Sequence, residues 1–184
     1  MILGITGTDG AGKGTVVDYL VKKYGFVHYH GRKLFIEHIE AQGLENNRAN
    51  MRLVANEIRR TQGDDGIVKL FLEQAKERGD KNIIIDSIRA SAEAITLKQN
   101  GGILLAVDAE QKIRYERIVK RASTSDSITF EEFVNHEALE MNDPDPHGMQ
   151  KAKVMEMADY TLQNNTTEDA LYQKLEEVFQ KISL

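Results

Sequence analysis

The sequence has no cysteine, only two prolines, no long apolar run and a deficit of positive charge, and each shortage removes a class of protein. Without thiols there are no disulfides and no thiolate metal sites, so an intracellular, cytoplasmic enzyme is the expectation. No apolar segment approaches the roughly 20 residues that span a bilayer. The opening MILGIT lacks the basic flank, apolar core and cleavage site of a secretory leader, so neither a leader nor a membrane partner is expected. The 24 Lys and Arg against 29 Asp and Glu leave a net charge of −5. That balance argues against broad binding to nucleic acid, which needs a basic surface to neutralise phosphates. A small-molecule partner is expected, with the chain acting as a monomer or homodimer. Its 184 residues suit one domain with a full core.

Positive charge is also missing locally. Residues 122–150 contain no Lys or Arg but carry Asp126, Glu131, Glu132, Glu137, Glu140, Asp143 and Asp145. Both prolines lie in its MNDPDPHG segment, whose composition predicts an exposed turn or mobile loop.

What is present is a regular alternation. Apolar β-type runs at residues 2–6, 26–30, 83–86, 103–108 and 160–163 are separated by helical patterns, which signals a parallel sheet covered by helices. The helical stripes are Val16, Val17, Leu20, Val21 and Tyr24; Met51, Val54, Ala55 and Ile58; Tyr115, Ile118, Val119 and Ala122; and Leu171, Leu175, Val178 and Ile182. Thr166 and Asp169 have the spacing of a capping box opening the last helix. The helical stretch at 31–80 is longer than a plain crossover and reads as an insertion within the single domain 1–184.

GITGTDGAGKGTVV, residues 4–17, places G-x-x-x-x-G-K directly after a strand and before a helix. Glycines let backbone N–H groups converge on a polyphosphate, the following helix presents its positive end, and a lysine reaches the transferring group. Gly7, Asp9, Gly10, Ala11, Gly12, Lys13, Gly14 and Thr15 are therefore candidates for binding ATP. Magnesium is the expected companion, bridging the phosphates, with Thr15 and Asp86 as its candidate protein contacts, partly through water.

Downstream, NIIIDSIR delivers Asp86 to the carboxyl end of a buried strand and Arg89 just beyond it, where ligands of open α/β sheets bind. RIVKR places Arg117 and Arg121 on one helical face. Arg52, Asn56 and Arg59 recur opposite an apolar stripe, where either an acceptor's anion or water is accommodated; Arg32 and Arg60 are weaker candidates. His28 and His30 point to one side of the second strand, without the carboxylates that a metal site would add.

These motifs resemble the P-loop nucleotide kinases. GxxGxGKGT is similar to the loop of adenylate kinases, IIIDSIR to the D-G-x-P-R element of nucleoside monophosphate kinases with Ser87 in place of glycine, and RIVKR to the entry of the adenylate kinase lid. GLENNRANMRLVANEIRR, SITFEEF and ADYTLQNNTTEDAL extend the resemblance over nearly the whole chain, towards the group around dephospho-CoA kinase and the archaeal adenylate-kinase-related proteins. It implies a five-stranded parallel sheet in a three-layer sandwich, an acceptor-binding insertion at 31–80 and a lid at 122–150. It also implies Arg117 over the base, Arg121 at the transferring phosphates, and the loop from Asn164 to Thr166 near adenine. Asp9 occupies the position at which thymidylate kinases bring a carboxylate towards acceptor and sugar, or it caps the turn. The absence of basic residues inside the lid departs from adenylate kinases and leaves Arg117 and Arg121 to share the charge with Lys13. The implied activity is transfer of the ATP γ-phosphoryl group to a small nucleotide, with Lys13, Asp9, Asp86, Arg89, Arg117 and Arg121 at the reacting groups and Arg32, Arg52, Arg59 and Arg89 on the acceptor. Dephospho-CoA kinase activity and an ATP-driven assembly factor are the alternatives.

Overall fold

Five strands alternate with helices along the chain in the computed structural model, which describes residues 1–121 and 128–182. β1 (Ile2–Gly7) runs into α1 (Lys13–Tyr24) and β2 (Val27–His30) into α2 (Gly31–Ala41); α3 (Arg48–Gln62) and α4 (Gly66–Arg78) then precede β3 (Ile83–Asp86). α5 (Ser91–Gln99), β4 (Ile103–Asp108), α6 (Gln111–Arg121), α7 (Phe130–Met141), α8 (Lys151–Glu156), β5 (Tyr160–Gln163) and α9 (Glu168–Ile182) follow. The five strands pair in parallel in the order β2-β3-β1-β4-β5. Each forms within one residue of the bounds that the apolar runs predict.

The strands read as unbroken apolar runs because both faces of the sheet are covered. Leu3, Ile5, Ile84, Leu105 and Val107 meet Val16, Val17 and Leu20 of α1 and Leu171 and Leu175 of α9. Ile83, Ile85 and Leu104 point the other way, into Val54, Ile58, Phe71, Leu97 and Val154. The result is a three-layer α/β architecture, as the resemblance implies. Parallel registry gathers all the carboxyl ends on one edge: Gly7 lies opposite Val107, His30 opposite Asp86, and Asp108 opposite Gln163.

Four expectations need correction. Val21 and Val119 belong to the apolar stripes by spacing but are 36% and 47% exposed; on α6 it is Arg114 that turns inward. The last helix opens one residue later than the Thr166–Asp169 pattern indicates. Thr167 Oγ1 accepts from the Ala170 N–H and its carbonyl from the Leu171 N–H, so Thr167 is the cap. A reciprocal capping box instead opens α7, where Thr129 and Glu132 exchange backbone and side-chain hydrogen bonds. Finally, MNDPDPHG turns as its composition predicts, but it is not a loose loop. Arg52 grips Asp143 through two hydrogen bonds of 2.7 and 2.8 Å, Asn56 donates to Asp145 at 3.1 Å, and Met149 is buried. The acidic side chains are drawn to the α3 cations, a pairing between distant residues. Ala122 and Asp126 lie outside the described residues. Among the described residues no helix is long and apolar enough to cross a membrane.

Candidate active site

The loop between β1 and α1 is shaped by what surrounds it. Gly7 has φ 127°, and a Cβ there would stand 1.9 Å from the Val107 carbonyl oxygen of the neighbouring strand. Gly12, at φ 101°, is the residue before α1, and a Cβ on it would meet Asn164 Nδ2 at 2.5 Å. Gly14 has open space beside it. The first N–H groups of α1 have no intrahelical acceptors and point out of the helix end, which makes them anion donors. Lys13 Nζ folds back over the loop, donating to the Gly7 and Thr8 carbonyls at 3.1 and 2.7 Å, and stands 3.5 Å from Asp9 Oδ1. Burial pushes its ammonium down to about 8, with the nearby Asp9 charge opposing the shift and the Lys151 charge adding to it.

The loop is held from below. Thr8 Oγ1 donates to Asp108 Oδ1 at 2.6 Å, and Asn164 Nδ2 donates to the Ala11 carbonyl at 2.8 Å. Asn164, expected beside adenine, is 6% exposed and braces the loop. Arg117 reaches the same region: its Nη2 donates to the Thr166 carbonyl at 3.4 Å, while its buried Nη1 has no hydrogen-bond partner among the described residues. Arg121 ends α6 and is exposed.

Two cations that the sequence reading passed over complete the surroundings. Arg114 donates to the Ala109 carbonyl at 2.7 Å and the Asp9 carbonyl at 3.3 Å, and forms a forked pair with Glu137. Lys151 donates to Asp9 Oδ1 at 3.0 Å and to Glu140. Glu137 and Glu140 lie one turn apart on α7. The sequence signal was weak: Arg114 is one turn before Arg117, and Lys151 is the first basic residue after the cation-free segment.

Beside the loop, β3 ends in Asp86, whose Oδ2 is 3.6 Å from His28 Nε2 and 3.7 Å from His30 Nε2. Its other oxygen is buried and has no hydrogen-bond partner among the described residues. Burial alone would raise this carboxyl, but the His28 contact and the His30 and Lys13 charges outweigh it and hold Asp86 below its ordinary value. His30 Nδ1 accepts from the Arg32 N–H at 3.0 Å, which assigns the ring proton to Nε2, facing Asp86. Ser87 follows at φ 65°, a left-handed conformation that favours glycine, the residue found there in D-G-x-P-R.

The expected acceptor residues are not all available. Arg59 is buried against Glu93 at 3.1 Å, both 2% exposed, and Glu93 also accepts from the Arg89 and Ala90 N–H groups. Arg52 is committed to Asp143. Arg32 is exposed on the first turn of α2. Arg89 lies near Met149, with Nη1 3.8 Å from the sulfur and a buried Nε that has no hydrogen-bond partner among the described residues. No cluster of three or more His, Asp or Glu fit to hold a metal occurs among the described residues. The ionised Asp86, with its partnerless oxygen, suits magnesium that arrives with the phosphates and is held through water.

The sequence pattern of the AAA domain family matches residues 3–145. The chain belongs to this family. This AAA-domain chain is also similar to a UPF0200 protein of Pyrococcus horikoshii, 26% identical over 190 residues that cover 99% of this chain and 97% of that one. With a UPF0200 protein of Thermococcus kodakarensis it shares 29% identity, covering 90% and 89% of the two chains. In fold it is similar to TT1252 from Thermus thermophilus, with a TM-score of 0.62, 20% identity, and 98% and 97% of the two chains covered. It is similar too to a shikimate kinase from Bacteroides thetaiotaomicron, with a TM-score of 0.61, 15% identity and 98% of each chain covered. The kinase-like P-loop fold of this AAA-domain chain is thereby shown, at a level that does not single out adenylate kinases.

Proposed function

We propose that this protein transfers the γ-phosphoryl group of ATP to a small nucleotide acceptor, with a nucleoside monophosphate as the first candidate. The observation that carries the reading is the convergence on one sheet edge of a glycine loop with a largely buried lysine, an ionised aspartate and two arginines, Arg89 and Arg117, each with a buried nitrogen that finds no partner among the described residues. In the transfer, the bond from the γ-phosphorus to the β–γ bridging oxygen breaks and a bond to the acceptor oxygen forms, leaving ADP. Lys13 and the arginines spread the charge of the passing group, and the loop holds donor and acceptor in line. Bound magnesium would supply further neutralisation of the phosphates.

A second reading is favoured by the commitment of Arg52 and Arg59 to carboxylates. An acceptor that presents a hydroxyl, as dephospho-CoA or shikimate does, asks less of those arginines and more of a base. Asp86 would then accept the hydroxyl proton. The deciding experiment measures ADP release from Mg-ATP against nucleoside monophosphates, deoxynucleoside monophosphates, dephospho-CoA and shikimate, with Lys13→Ala as control. One acceptor should raise turnover by orders of magnitude, and the control should lose it. Uniformly slow hydrolysis despite tight ATP binding would overturn the kinase reading in favour of an ATP-driven assembly factor.

A further inference from the structure

Asp9 puts a negative charge inside a loop built to hold anions. A carboxylate there opposes a polyphosphate unless a cation stays beside it. Among the described residues, Lys13 Nζ stands 3.5 Å from it and Lys151 Nζ, the nearer, 3.0 Å. The two differ in freedom. Lys13 sits at the head of α1, where the anion is expected, and its bonds to the Gly7 and Thr8 carbonyls are of the kind that yield to a phosphate. Lys151 opens α8, distant from the loop in sequence; its side chain is 4% exposed, and it is held by Glu140 of α7.

We propose that Lys151 is a positioning residue of the phosphate loop: it retains the Asp9 carboxylate and so releases Lys13 to the nucleotide, without touching the nucleotide itself. The inference rests on the nucleotide-binding part of the reading above and is independent of the acceptor. It also answers the shortage of cations in residues 122–150. The compensating charge enters from the residue immediately after them, and it acts on the loop's own carboxylate.

The test is equilibrium binding of a non-hydrolysable Mg-ATP analogue to the full chain by titration calorimetry. Lys151→Met should weaken binding by about tenfold or more, because Asp9 then competes with phosphate for Lys13. Lys151→Arg should stay within about threefold of wild type, since it keeps the charge. In an Asp9→Asn background, Lys151→Met should cost less than about threefold, since no carboxylate then competes. A second series carries Glu140→Gln with Lys151→Met, so that no buried carboxylate is left at position 140 without its cation; the loss of binding should be the same there as in Lys151→Met alone. Unchanged binding in Lys151→Met, or an equal loss with and without Asp9, overturns the proposal and makes Lys151 a structural partner of Glu140. A wild-type protein that binds no nucleotide overturns the reading of the loop itself and this proposal with it; lost coupling in a nucleotide-binding wild type overturns this proposal alone.

Discussion

Lys13 shows how strongly one side chain is conditioned by its place. It holds its proton weakly because it is buried, with a pKa of about 8 against an ordinary 10.5. A bound phosphate favours the charged form, so nucleotide binding at pH 8.5 should take up a proton. Calorimetry in two buffers of different ionisation enthalpy would show this, and affinity should fall as pH rises above about 8. The same shift acts on folding with the opposite slope. Between pH 8 and 10.5 the unfolded chain binds more protons at this site, so stability there should rise with pH, by at most about 3 kcal/mol, and Lys13→Met should remove that slope in urea unfolding. Ser87 is a second residue whose cost is local. Its left-handed backbone disfavours a branched side chain, so Ser87→Val should lose about 1–2 kcal/mol in urea unfolding, while Ser87→Gly should change stability by less than about 1 kcal/mol.

At the scale of elements, the acidic segment after α7 is fastened to α3 rather than spread over solvent. Asp143 is the anchor: burial would raise its carboxyl, but the Arg52 hydrogen bonds hold it below its ordinary value. A depressed carboxyl contributes stability above its unfolded pKa of 3.8 and loses it as pH falls through the lower folded value, so the fastening should persist at neutral pH and fail in acid. Arg52→Met should cost about 1–3 kcal/mol and raise amide hydrogen exchange across residues 142–150 by tenfold or more at pH 7, with the sheet amides unaffected. Arg114 and Lys151 make the matching connection between α7 and the phosphate loop. Both are buried cations on different helices, and both end on Asp9.

For the whole molecule, the sheet places the loop of β1 between the end of β3, with Asp86, and the end of β4, with Asp108. A ligand held there joins both halves of the sheet. A Mg-ATP analogue at 100 times its dissociation constant should stabilise the fold by about 2.7 kcal/mol, read as a rise in melting temperature of about 5–10 °C that Lys13→Ala abolishes. The strands, the glycine loop and the helix that follows it were legible in the sequence because each depends on local pattern: apolar runs for buried parallel strands, glycines where φ is positive, 3.6-residue spacing for helices. Asp86 and Arg89 were singled out from the end of an apolar strand run and Arg117 from its four-residue spacing to Arg121 on a helical face, again local patterns. The partners of Arg52, Arg59, Arg114 and Lys151 were not, because ion pairs between helices distant in sequence leave no periodic trace. The sequence by itself determined the class of fold and the position of the glycine loop between β1 and α1, since those are written in neighbouring residues. Only the tertiary structure decided which cations stay available to a ligand, because a charge is committed by whichever opposite charge the fold brings within reach.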